Sequence, residues 1–107
     1  MSKHRKYMQL EGIDFSIRES SFPARIAAYN LKARKVAIVF GNTIHLYGTT
    51  SSEFLENTAW VKHELCHIRQ YKQYGFIGFI VRYLLESLRT GYYNNRFEVE
   101  ARAAEQL

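Results

Sequence analysis

Between residues 8 and 19 the chain alternates, with Ile13, Phe15 and Ile17 on one side and Asp14, Ser16 and Arg18 on the other. A period of two belongs to a half-buried strand, and a strand is expected over this stretch. Ser20-Ser21-Phe22-Pro23 then supplies cap residues and a proline suited to a first helical turn, and Ala24, Ile26, Ala27, Ala28 and Leu31 follow as a short helix. Val36–Phe40 and Thr43–Tyr47 are β-rich runs separated only by Gly41-Asn42, which predicts a tight hairpin.

After Gly48, the run Thr49-Thr50-Ser51-Ser52-Glu53 carries N-cap signals. A long helical pattern continues from there to about Tyr74, with residues 53–57 open to a loop reading instead. Gly75 punctuates, and residues 76–88 predict a strongly apolar helix in which Phe76, Phe79, Ile80, Tyr83 and Leu84 cover a wide arc. Thr90-Gly91-Tyr92-Tyr93-Asn94-Asn95 reads as a turn, and Asn95 offers a cap for a last helix over residues 96–105. The expected fold class is α+β: a small antiparallel sheet or hairpin, one long helix and two following helices, in a single domain over residues 1–107.

Composition supports a folded domain, since 47% of the residues are apolar and 15% aromatic, far from the profile of a disordered chain. The formal charge of +5 raises the question of anionic partners. Only Lys3-His4-Arg5-Lys6 and Lys32-Ala33-Arg34-Lys35 are dense, and neither lies in a nucleic-acid-binding motif, so no nucleic-acid partner is expected. Cys66 is the single cysteine, which excludes an intrachain disulfide and fits a reducing, cytoplasmic setting. The basic N-terminus is not followed by an apolar stretch of the signal-peptide kind, and no apolar run reaches the roughly 20 residues of a membrane span. Peripheral membrane contact through residues 76–88 or the basic N-terminus stands as a lesser alternative.

The segment His63-Glu64-Leu65-Cys66-His67 changes the picture most. On a helix its two histidines lie about one turn apart and about 40° in rotation, so both imidazoles can reach one tetrahedral zinc ion. Glu64, rotated by about 100° from His63, is poorly placed as a ligand but can act as general base on a metal-bound water. Zinc brings the pKa of such a water to about 7, and the protonated glutamate can return its proton to a leaving amine. A catalytic site also needs a third protein ligand, for which the last helix offers Glu98, Glu100 and Glu105. Glu98 shares a face with the small Ala101, which would let the two helices approach closely, while Glu100 points about 200° away. Glu98 is the first candidate and Glu100 the alternative.

With His63-Glu64-x-x-His67 followed by Glu98-Val99-Glu100-Ala101, the chain resembles the gluzincins, zinc peptidases with a glutamate as third ligand. Residues 41–102 resemble small bacterial metallopeptidase-like domains in which a Gly-Tyr and an Asn-Pro-Phe-Glu-x-Glu-Ala segment follow a Phe-rich helix. Here these are Gly91-Tyr92 and Asn95-Arg96-Phe97-Glu98-Val99-Glu100-Ala101, with Arg96 in place of the proline. The Glu-x-x-Ala element shared with integral-membrane zinc proteases maps onto Glu98 and Ala101. The resemblance implies a minimal zincin-like metallopeptidase domain without the large second lobe of bigger gluzincins, with a peptide or protein as substrate.

The remaining candidates have plainer alternatives. The strand Thr43–Tyr47, with Ile44 and His45, is expected at the edge of the sheet, where an extended substrate can pair with it; it reads equally as a core strand. Tyr92 or Tyr93 can offer a phenol to an oxyanion, or can simply pack. Trp60 and Tyr71 read as core, and Cys66, about 60° from the histidine face, as inert packing. The function expected is zinc-dependent hydrolysis of a peptide; the alternative is a zinc-stabilised binding or structural module without turnover.

Overall fold

The computed structural model describes residues 5–107, so Lys3 and His4 of the first basic cluster lie outside the described residues. The alternation at 8–19 folds as a hairpin rather than one strand: β1 (Arg5–Leu10) and β2 (Ile13–Arg18) pair antiparallel. Glu11 and Gly12 turn between them with φ of 52° and 75°. Two successive positive φ angles match the twist of flanking strands, as in the primed hairpin turns. Glutamate is an unusual first residue for such a turn, which is why periodicity alone runs across it.

Helix α1 (Phe22–Leu31) starts where expected. Ser21 Oγ accepts from the Ala24 amide, Pro23 sits in the first turn, and Lys32 in the left-handed region (φ 54°) ends it. The hairpin of β3 (Val36–Phe40) and β4 (Thr43–Tyr47) also forms as expected, turning at Gly41 with φ 65°. Gly48 ends β4 with φ 80° beneath the Arg34 carbonyl, where an added Cβ would stand 1.9 Å from that oxygen.

The four strands form one sheet in the order β1-β2-β4-β3, and β2 pairs with β4 in parallel, Ile17 opposite Ile44. The sheet is therefore mixed, not purely antiparallel, because α1 and β3 carry the chain across before β4 returns alongside β2. Ala24 and Ala28 of α1 join Val36, Ile38 and Tyr47 in one apolar cluster. Ile44, Leu46 and Val39 join Phe15 and Ile17 in the larger core with the helix that carries the histidines.

Residues 49–57 are neither loop nor the start of one long helix. Thr50 and Glu53 make a reciprocal capping box that starts a separate short helix, α2 (Ser51–Glu56). Asn57 breaks it (φ −92°, ψ 89°) and caps α3 (Thr58–Tyr74) through Oδ1, 3.1 Å from the Trp60 amide. Leu65 and Ile68 of α3 are 1% and 0% exposed in the larger core, and full burial of each such side chain contributes about 1.5–3 kcal/mol. Tyr71 is buried there too, donating to the Val39 carbonyl at 3.0 Å, and Trp60 packs edge-on against Phe54.

Helix α4 (Phe76–Asn94) runs past its expected end and is kinked at Gly91 (φ 82°, ψ 167°), so most of the expected turn is helical. Helix α5 (Arg96–Ala104) follows directly from Asn95. No helix among the described residues is long and apolar enough to cross a membrane.

Candidate metal centre

Two local features aim Glu98 at the histidines. Asn95 is fully buried: its Oδ1 accepts from the Phe97 amide at 2.8 Å, while Nδ2 donates to the Tyr83 carbonyl at 3.0 Å and to Ser87 Oγ at 2.8 Å. One side chain thus caps α5 and fastens it to α4. Ala101, 0% exposed, and Ala104 then pack on Cys66 of α3. A larger residue at 101 would hold the helices apart, so the close approach expected from this alanine is realised. Arg96, standing where the resembled families carry proline, lays its guanidinium over the Phe97 ring at 4.4 Å.

His63 and His67 present their Nε2 atoms to the two oxygens of Glu98. His63 Nε2 lies 3.2 Å from Oε1 and His67 Nε2 lies 3.3 Å from Oε2. Ligand atoms about 2.0–2.1 Å from a tetrahedral zinc ion stand roughly 3.3 Å apart along the tetrahedron's edge. Two imidazole nitrogens and one carboxylate are a donor set of the kind zinc takes. Among the described residues these three form the one group able to share a cation, with ligand atoms all within 4.8 Å of one another.

Each candidate ligand is oriented from behind. His63 Nδ1 donates to Glu105 Oε2 at 2.7 Å and His67 Nδ1 donates to Gln70 Oε1 at 2.8 Å, which leaves Nε2 of both rings for the site. Gln70 is held in turn, its Nε2 donating to Glu100 Oε1 at 2.7 Å and to the Phe97 carbonyl at 3.1 Å. Glu100, the alternative ligand, therefore lies outside the cluster and braces His67 through Gln70. The Tyr83 hydroxyl donates to Glu98 Oε2 at 2.5 Å.

Electrostatics follows from this crowding. Burial opposes charge on His63, but Glu98, Glu64 and Glu105 outweigh it and raise its pKa to about 9. His67 is raised for similar reasons, burial again opposing and Glu98 prevailing. Burial would raise Glu98 too, yet the bonds from His63, His67 and Tyr83 hold its carboxyl well below the usual carboxylate range. The imidazole protons that point at Glu98 are those a divalent cation displaces on binding. Glu64, 5% exposed, is pushed up to about 7 by burial against the pull of the two imidazoles.

Glu64 opens with the three candidate ligands onto a cleft of about 310 Å³. All five residues of β3 line it, together with Tyr83 and Tyr92. The expectation that Ile44 and His45 form an edge strand is corrected here. β4 lies between β2 and β3, Ile44 is fully buried, and His45 Nδ1 bonds to Ser21 Oγ at 2.8 Å. The strand that borders the cleft and pairs on one side only is β3.

The two expected phenols separate. Tyr92 lines the cleft, its pKa raised to about 12 by burial and then by Glu98. Tyr93 is exposed and lies under the Arg102 guanidinium, 4.0 Å from ring centre to Cζ. Cys66 is buried with its thiol pushed up to about 11, mainly by burial, as inert packing requires. Sequence reasoning had no signal for Tyr83 or Gln70, whose roles depend on helix packing, though Gln70 lies one turn after Cys66 on the motif helix. Comparison of the chain with family models, with curated proteins and with solved structures gives no match.

Proposed function

We propose that this protein is a zinc-dependent peptide hydrolase of the gluzincin kind on a minimal zincin-like fold, with His63, His67 and Glu98 as ligands and Glu64 as general base. The observation that carries this reading is the convergence of two Nε2 atoms and one carboxylate at 3.2 and 3.3 Å, beside a buried glutamate that opens onto the same cleft. Three protein ligands with an open side suit a catalytic site, whereas structural zinc is closed by four; that favours turnover over a zinc-stabilised module.

Zinc held by His63, His67 and Glu98 would supply Lewis acidity to a scissile carbonyl and to the attacking water. Glu64 takes a proton from the attacking water and delivers it to the leaving amine. Tyr83 fixes Glu98, and Tyr92 offers a phenol to the developing oxyanion. The unpaired side of β3 gives an extended peptide backbone a row of partners. A cytoplasmic setting accompanies this reading, resting on the single unpaired Cys66.

The test is a peptide-library digest read by mass spectrometry. Wild-type protein cleaves, and Glu64→Gln retains its zinc but loses cleavage. Equal cleavage by the variant would remove Glu64 as base and with it the proposed activity.

A further inference from the structure

Two of the helices that border the cleft, α1 and α4, carry unusually bare apolar surface. Leu31 of α1 is 66% exposed, and Ile77 and Leu88 of α4 are 69% and 85% exposed. Leu31 and Leu84 both line the cleft, one from each helix, so the bare surface surrounds the opening rather than lying elsewhere on the molecule. Ile77, Val81, Leu84 and Leu88 recur at steps of four, three and four along α4 and are all exposed, which makes a continuous ridge. Apolar patches of this extent mark an interaction surface.

Charge identifies what covers it. Directly after Leu31 the chain holds Lys32, Arg34 and Lys35, and residues 22–35 and 76–85 contain no carboxylate; Arg25 and Arg82 turn away from the apolar ridge at about 100° per residue, Arg82 over the Tyr74 ring. Glu86, the first acidic residue on α4, is balanced by Arg89 at 3.7 Å. Two copies of this face would bring like charges together. A nucleic acid would meet the cations but leave leucine and isoleucine side chains in water. An anionic lipid surface satisfies both features, since aliphatic side chains enter the acyl boundary while Lys and Arg reach the headgroups. No helix among the described residues is long and apolar enough to cross a bilayer, so the contact is interfacial.

We infer that α1 and α4 dock the protein on anionic membranes with the cleft turned toward the bilayer. Docking needs no metal. What rests on the hydrolase reading is its consequence, that the substrate is a polypeptide segment held at the lipid surface.

The test is co-sedimentation of the full chain with phosphatidylcholine vesicles, with and without phosphatidylserine. The wild type binds the phosphatidylserine vesicles and is released by high salt. Ile77→Ser with Leu88→Ser, both at exposed positions, weakens binding by at least about tenfold. Lys32→Glu with Arg34→Glu weakens it roughly fivefold per cation removed. Glu64→Gln binds like the wild type, so loss of the proposed chemistry and loss of docking are separate results. No binding to either vesicle, or unchanged binding by both double variants, overturns the inference. A dimer in sedimentation velocity that Ile77→Ser with Leu88→Ser dissociates, without vesicle binding, overturns it in favour of a second copy.

Discussion

Glu105 Oε2 lies 2.7 Å from His63 Nδ1, and this contact directs the opposite nitrogen of the ring at Glu98. Glu105, just past the end of α5, therefore orients the candidate ligand that Glu98, two turns earlier, meets directly. Carboxylates behind metal-bound histidines fix the tautomer and raise ligand basicity. Glu105→Gln should weaken zinc binding by about 10- to 100-fold, measured by competition with a chromogenic chelator. Unchanged affinity would mean that His63 is oriented by α3 alone.

Tyr83 acts on the same carboxylate from α4. Its hydroxyl reaches Glu98 Oε2 at 2.5 Å inside a largely buried cluster, and hydrogen bonds to charged groups contribute about 1.5–3 kcal/mol. Tyr83→Phe should lower the unfolding free energy of chelator-treated protein by about that amount in urea denaturation. Equal stability would show that the imidazoles suffice to hold Glu98.

Backbone geometry places Tyr92 at the cleft. Gly91 adopts φ 82° and ψ 167°, a region that residues with a Cβ occupy at a cost of about 1–3 kcal/mol. No atom lies within 4 Å of an added Cβ, so conformation alone sets the penalty. Gly91→Ala should destabilise the protein by about 1–3 kcal/mol, with the loss seen as an earlier thermal midpoint. A neutral substitution would place the kink elsewhere.

His45 gives a pH signature separate from the candidate metal centre. Its pKa is lowered from 6.5 by burial first and then by Arg18 and Arg5. In the window between that depressed value and 6.5 the unfolded chain binds more protons than the folded one. The stabilisation is therefore present above pH 6.5 and is lost as pH falls through the folded value. His45→Gln should flatten the decline of the urea midpoint just below pH 6.5 relative to the wild type. A parallel decline in both proteins would contradict the assignment.

What the sequence makes legible is local. The i, i+4 spacing of His63 and His67, the small Ala101 on the face of Glu98, the Gly41 turn and the Asn95 cap are properties of neighbours along the chain. The order of strands is not. β4 becomes a central strand only because it returns alongside β2 in parallel, and nothing within residues 43–47 records that. Glu11 hides the first hairpin because it takes a positive φ that usually marks glycine or asparagine. Tyr83 and Gln70 stay invisible for a related reason: each contributes through a contact across helices, with 15 residues separating Tyr83 from Glu98 and 30 separating Gln70 from Glu100.

The most direct measurement is the zinc content of the purified chain and its ligand variants, by inductively coupled plasma mass spectrometry after dialysis against a weak chelator. Wild-type protein and Glu100→Ala should carry one zinc per chain, with the latter bound more weakly, and His63→Ala, His67→Ala and Glu98→Ala should carry none. Wild-type protein without stoichiometric metal, or zinc retained in full by Glu98→Ala, would contradict the centre described here.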